Sequence, residues 1–211
     1  IHRTALNDRI HRLFGALRTA KAPIAYSLNA PEWTPTETLK RFESSKLIAR
    51  LEVGQEPIIR INPDRRITLE YYKNSVLHHV APMSMMAAAI RSMRGAFESH
   101  PQLPMDSEAA QEVRRLFAEQ VFLLRYEFTT DPEHDVDTLG AAALDQLHEY
   151  GAIRIENGAL AVGEKAHIVE LAELTRNLLE SSLLALRGVV ALQHRDLTVK
   201  TMGKALPSDH G

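Results

Sequence analysis

Leu69-Glu70-Tyr71-Tyr72-Lys73-Asn74-Ser75-Val76-Leu77-His78-His79-Val80-Ala81-Pro82-Met83-Ser84-Met85-Met86-Ala87-Ala88-Ala89-Ile90 is the stretch on which the reading of this chain turns. Leu69, Tyr72, Val76, Val80, Met83, Ala87 and Ile90 recur at helical spacing, which predicts one buried stripe with Tyr72 in the core. Tyr71, Asn74, Ser75 and His78 fall on the opposite side, within about 100° of arc at 3.6 residues per turn. A strip of uncharged hydrogen-bonding groups differs from the Lys/Glu face of an ordinary solvated helix. It reads either as an exposed or internally satisfied face, or as a polar contact with another domain or a substrate. Pro82 lacks a backbone donor and is expected to kink one long helix running from about Arg65 to Gly95.

Outward from this helix, the chain reads as mainly α. Leu6, Ile10, Leu13 and Leu17 mark a helix within residues 5–29. Thr34, Pro35 and Glu37 form a helix start, with the helix running to about Lys46. Leu47–Val53 and Ile58–Ile61 alternate around Gly54 and predict a hairpin. Residues 98–104 read as a loop. Asp106 or Ser107 caps a helix reaching about Tyr126, with Val113, Leu116, Phe117, Gln120, Leu123 and Leu124 on its apolar side. A helix from about Val136 to Tyr150 ends at Gly151, placed to cap it. Asn157-Gly158 between two alternating runs predicts a type I′ hairpin, because both turn residues take positive φ. A last helix spans about Glu164 to Gln193, and Pro207–Gly211 is expected to fray. The expected fold is therefore a helical bundle with two small β-hairpins, in helix–hairpin–long-helix units that echo each other at 35–95 and 136–193. Two sub-units are expected, at about 1–100 and 101–211.

The bulk numbers narrow the classes. The 211 residues are 45% hydrophobic and 25% charged, enough for a sizeable core and against general disorder. A net charge of −2 gives no global attraction to a polyanion, so no nucleic-acid partner is expected. The absence of cysteine excludes disulfides and thiolate metal sites, and suits a reducing compartment. The chain starts at Ile1, not Met, which reads as a fragment or processed product, and its first residues are no signal peptide. The stretch Asn74–Ile90 carries no Lys, Arg, Asp or Glu but falls short of the roughly 20 apolar residues that span a bilayer. Met83–Ile90, followed by Arg91 and Arg94, reads as a buried helix end or as an interfacial segment with arginines at head groups. The last helix offers the same choice through Leu183, Leu184, Leu186, Val189 and Val190, with Glu180 and Arg187 opposing deep insertion.

A search for catalytic constellations finds none complete. There is no Gly-rich phosphate loop, no Gly-x-Ser-x-Gly elbow and no His-x-x-x-His pair. His78 and His79 point about 100° apart on a continuous helix and so cannot share a metal, and no metal or cofactor is expected. The acidic run Asp131–Asp137 reads as a solvated loop feeding a helix N-terminus. No histidine has Asp five positions on, so the His-x-x-x-x-Asp arrangement, in which Asp orients a His that deprotonates an acceptor hydroxyl, is missing.

Tyr71-Tyr72-Lys73-Asn74-Ser75-Val76-Leu77-His78, followed by the Val80-Ala81-Pro82-Met83-Ser84-Met85-Met86-Ala87 stretch, resembles the C-terminal region of the large bacterial and mitochondrial glycerol-3-phosphate acyltransferases. Members carry a Tyr-Tyr-(Arg/Lys)-Asn-x-x-x-His run there. Phe117–Arg125, the next helix and Gly151-Ala152-Ile153 leading into a hairpin follow the same order. The resemblance implies a parent enzyme that transfers an acyl chain from acyl-CoA or acyl-carrier protein to the 1-hydroxyl of glycerol 3-phosphate, giving lysophosphatidic acid for phospholipid synthesis. It implies peripheral association with the membrane surface on its cytoplasmic side, and a catalytic domain lying upstream and absent here. On that view the partner is the parent's own upstream acyltransferase domain, and this segment alone is inactive. Tyr71, Lys73, Asn74 and His78 are the expected interdomain or substrate-side residues. Arg65, Arg66, Arg91 and Arg94 are the expected phosphate or head-group residues. The competing expectations are a winged-helix-like nucleic-acid-binding regulator, opposed by Asp137, Asp145 and Glu149 on a helix without Lys or Arg, and a stand-alone interaction module.

Overall fold

Among the described residues, three helix ends use the same device. Lys21, Lys46 and Gly151 each adopt positive φ (53°, 56° and 77°) just past the last helical turn. Each sends its own N–H and that of the next residue back to the helix carbonyls, as Leu47 does to Phe42 and Ala152 to Leu147, both at 2.9 Å. Two of these ends turn a helix directly into the first strand of a hairpin.

The computed structural model describes residues 1–25, 35–128 and 135–193. It is 66% helical, with two small antiparallel sheets, as the sequence predicts. The helices are α1 (Arg3–Thr19), α2 (Pro35–Ser44), α3 (Arg66–Leu77), α4 (Ala81–Ser92), α5 (Arg94–Ser99), α6 (Glu108–Leu123), α7 (Val136–Glu149), α8 (Lys165–Leu174) and α9 (Arg176–Gln193). The strands are β1 (Ile48–Val53), β2 (Glu56–Ile61), β3 (Gln102–Pro104), β4 (Ile153–Glu156) and β5 (Ala159–Val162). Thr34, Asp131–His134 and Pro207–Gly211, all read from sequence, lie outside the described residues.

Local chemistry sets most boundaries. The Ser107 hydroxyl accepts from the Ala110 N–H and opens α6, and the Asp135 carboxylate accepts from the Thr138 N–H and opens α7. Asn157 (φ 52°) and Gly158 (φ 73°) make the expected type I′ turn between β4 and β5. In the first hairpin only Gly54 of the two turn residues has positive φ.

Three expectations need correction. The long helix over 65–95 is broken: α3 ends at Leu77, and α4 starts at Ala81 with Pro82 in its first turn. A proline there has no N–H to lose and its ring would clash with a preceding helical carbonyl, so Pro82 starts a helix rather than kinking one. The break rotates α3 away from the stripe that α4 buries. Val80, Met83, Ala87 and Ile90 are buried, but Tyr72 is 53% exposed and Val76 is also exposed; of α3 only Leu77 is fully buried. The predicted last helix is likewise divided, at Thr175. Third, Gln102–Pro104 is not a loop but the strand β3, which pairs with β5 through Leu103 opposite Leu160.

The main core forms around α4, whose Met83, Met85, Met86, Ala87, Ala89 and Ile90 are at most 1% exposed. It packs on α6, α7 and α8, meeting Val113, Phe117, Ala143, Leu144, Leu147, Ile168 and Leu171. This burial inside protein overturns the interfacial alternative for Met83–Ile90. Ser84 is fully buried at the α4–α8 seam, where its hydroxyl donates to the Leu171 carbonyl (2.6 Å) and pairs with the Thr175 hydroxyl (2.9 Å). Gly140 on α7 lets the Phe117 ring approach: a Cβ there would sit 3.3 Å from its edge. A smaller cluster, Leu39, Ile48 and Ile59, holds α2 to the first hairpin, with Leu6 of α1 against it. Ile1 and Ile59 exchange backbone hydrogen bonds beside it.

Candidate functional site

Helix α3 contributes little to either core, and its composition explains why it can stand in solvent. Glu70 pairs with Lys73 (2.6 Å) and accepts from the Asn177 side chain of α9 (3.1 Å). Leu69, half-buried, and Leu77, buried, hold its inner side. At about 100° per residue the remaining side chains span an outer arc of roughly 200°. Along it lie Asn74, Ile67, His78, Tyr71, Ser75, Tyr72 and Val76, all exposed. Tyr71 is 72% exposed, with its ring edge-on to Tyr72, centroids 6.1 Å apart.

The predicted polar strip of Tyr71, Asn74, Ser75 and His78 is therefore present and faces outward. What sequence periodicity missed is its width, because Tyr72 and Val76 join it once the helix breaks. His78 and His79 also differ from expectation. In the turn between α3 and α4 they no longer diverge by a helical step, and their ring centroids lie 3.8 Å apart. Burial, with the neighbouring His78 as a second cause, holds His79 below the usual imidazole range. Among the described residues no three His, Cys, Asp or Glu side chains are grouped so as to hold a metal ion.

The four arginines separate. Arg65 and Arg66 are exposed at the start of α3, with no ion pair among the described residues. Arg91 is held across the surface by Glu173 of α8 (2.5 Å), and Arg94 by Glu98 within α5 (2.6 Å). They do not converge on one anion site.

Two further features lie outside the residues that the sequence patterning singles out. Arg12 of α1 donates from Nε and Nη2 to both carboxylate oxygens of Glu170 on α8 (2.8 and 2.6 Å), Arg9 lies 3.4 Å away, and the Tyr150 hydroxyl donates to the Arg12 carbonyl (2.7 Å). Tyr150 also stacks on His167. Arg12 is separated from Glu170 by 158 positions and from Tyr150 by 138, so only the folded chain brings them together. Arg12 holds the Glu170 carboxyl below its usual range, and burial pushes the Tyr150 hydroxyl up to about 12. At the end of α6, Phe122 and Tyr126 project into solvent with the Arg125 guanidinium over both rings, 3.9 and 4.4 Å from their centroids.

Chemically, the α3 arc offers donors, acceptors and aromatic area without net charge, a composition suited to burial against protein. A family model described as "Glycerol-3-phosphate acyltransferase C-terminal region" matches residues 1–206. No curated protein and no solved structure matches the chain.

Proposed function

Because the chain belongs to the family of glycerol-3-phosphate acyltransferase C-terminal regions, we propose that it is the helical accessory part of an enzyme that makes lysophosphatidic acid from glycerol 3-phosphate and acyl-CoA or acyl-carrier protein. The chain braces the upstream acyltransferase domain and leaves the transfer chemistry to it. The observation that carries this reading is the outer arc of α3. A twelve-residue helix with most of its circumference in water is marginal by itself. Its exposed groups are Tyr, Asn, Ser and His rather than Lys and Glu. Tyr71, Asn74 and His78 are the residues we assign to the interdomain contact, with Tyr72 and Val76 adding apolar area beside them. Lys73 orients Glu70 along the inner side. Arg65 and Arg66, at the start of the same helix and without an ion pair among the described residues, are the cations available to a phosphate group near that seam.

The chain works peripherally at the cytoplasmic side of the membrane. Among the described residues no helix is long and apolar enough to cross a bilayer, while α6 and α9 leave apolar side chains in solvent.

The test is the triple substitution Tyr71→Ala, Asn74→Ala, His78→Ala in the parent enzyme. All three side chains are exposed, so the stability of the 211-residue chain should change by less than about 1 kcal/mol. Acyl transfer by the parent should fall at least tenfold. Unchanged turnover in the triple variant would remove α3 from the account.

A further inference from the structure

Helix α9 leaves the body of the protein while still apolar. Leu178 and Leu179 pack against the main core. One to three turns later, Leu183, Leu186, Val189 and Val190 continue the same face, and each is between 46% and 52% exposed. At about 100° per residue, Leu178, Leu179, Ser182, Leu183, Leu186, Val189 and Val190 share an arc of roughly 140°. Arg176, Glu180 and Arg187 form a narrow strip beside it, and Asn177, Ser181 and Gly188 lie behind. The core-facing side of an amphipathic helix thus runs off the edge of the core that it started on.

Charge decides what covers it. From Ser181 to Gln193 the only charged residue is Arg187. Between Ser181 and Leu206 the sequence carries Arg187, Arg195, Lys200 and Lys204 against one acid, Asp196. At its inner end the apolar face is flanked by Arg176 and Glu180, which pair with each other (2.7 Å), and beside its exposed half stands Arg187. Together with the basic excess in the sequence that follows, this matches the boundary of an anionic bilayer, with acyl chains under the leucines and a head-group phosphate at Arg187. The helix is not of a length and apolarity to cross. We propose that the outer half of α9, from Leu183 to Val190, is a lipid-docking element that lies in the plane of an anionic membrane surface. This rests on the peripheral-membrane part of the functional reading and is independent of the interdomain contact at α3.

The experiment is vesicle flotation of the purified 211-residue chain, with phosphatidylcholine vesicles and with phosphatidylcholine–phosphatidylglycerol vesicles. The expected result is co-flotation with the anionic vesicles, weakened by added salt. It should fall at least tenfold in Leu183→Ser/Leu186→Ser and several-fold in Arg187→Glu. Circular dichroism and the melting temperature of these variants should match the parent chain, because the substituted side chains are exposed. Three results would overturn the proposal: no flotation of the unaltered chain, flotation unaffected by the leucine pair, or a stable dimer in place of lipid binding that the leucine pair dissolves. None of these depends on turnover by the parent enzyme, so the α3 reading stands or falls separately.

Discussion

Ser84 shows how one hydroxyl positions two helices. It is fully buried, yet both its hydrogen-bonding partners lie on the α8 side, at the Leu171 carbonyl and the Thr175 hydroxyl. Removing it strands Thr175 in the core. Ser84→Ala should cost about 1–2 kcal/mol in urea denaturation, and a loss near zero would show that the seam is held by packing alone. Glu170 acts over a longer distance by tying α1 to α8 through Arg12. Its folded-state pKa is held down by that arginine, so its contribution is complete above the ordinary carboxylate range and disappears as pH falls through the lowered value. The part of stability that Glu170 supplies should be flat from neutral pH to about 5 and then decline. Glu170→Gln should be less stable at neutral pH, and the gap between the two proteins should narrow on acidification. Denaturation curves at neutral and acid pH measure this directly; a gap independent of pH would contradict it.

At the scale of elements, legibility followed the range of the signal. The β4–β5 turn was readable because Asn157-Gly158 states its backbone conformation locally, and so was the end of α7 at Gly151. Lys21 and Lys46 use the same left-handed cap, but a lysine there carries no sequence signature. That mismatch gives a prediction: Lys46→Gly should stabilise the chain by about 0.5–1 kcal/mol, since glycine adopts this conformation without the Cβ penalty. A lower melting temperature for the variant would mean that the lysine side chain makes contacts worth more than the strain. Strand β3 was illegible for a different reason. Three residues ending in proline look like loop, and only Leu160, far along the chain, makes them a strand. The break before Pro82 was half legible: the proline was visible, but not that the helix would stop before it. Once it stops, the stripe splits, and Tyr72 moves from the expected core to the surface.

For the whole molecule, α4 is the hub, and α3, the C-terminal end of α6 and the outer half of α9 reach outward. The buried methionines and alanines of α4 satisfy the core, so the surface left over carries the functional argument. Sequence patterning found the polar strip of Tyr71, Asn74 and His78. It could not find the clamp between Arg12 and Glu170, because nothing local joins residues so far apart. Family membership extends over residues 1–206 and concerns the C-terminal region of an acyltransferase. The chain itself carries no His-x-x-x-x-Asp arrangement. The central claim is that this chain supports acyl transfer without performing it. Incubating the purified 211 residues with acyl-CoA and glycerol 3-phosphate, and measuring lysophosphatidic acid, tests that claim most directly. The account predicts no product above the enzyme-free control; product that accumulates in proportion to the amount of chain added would contradict it.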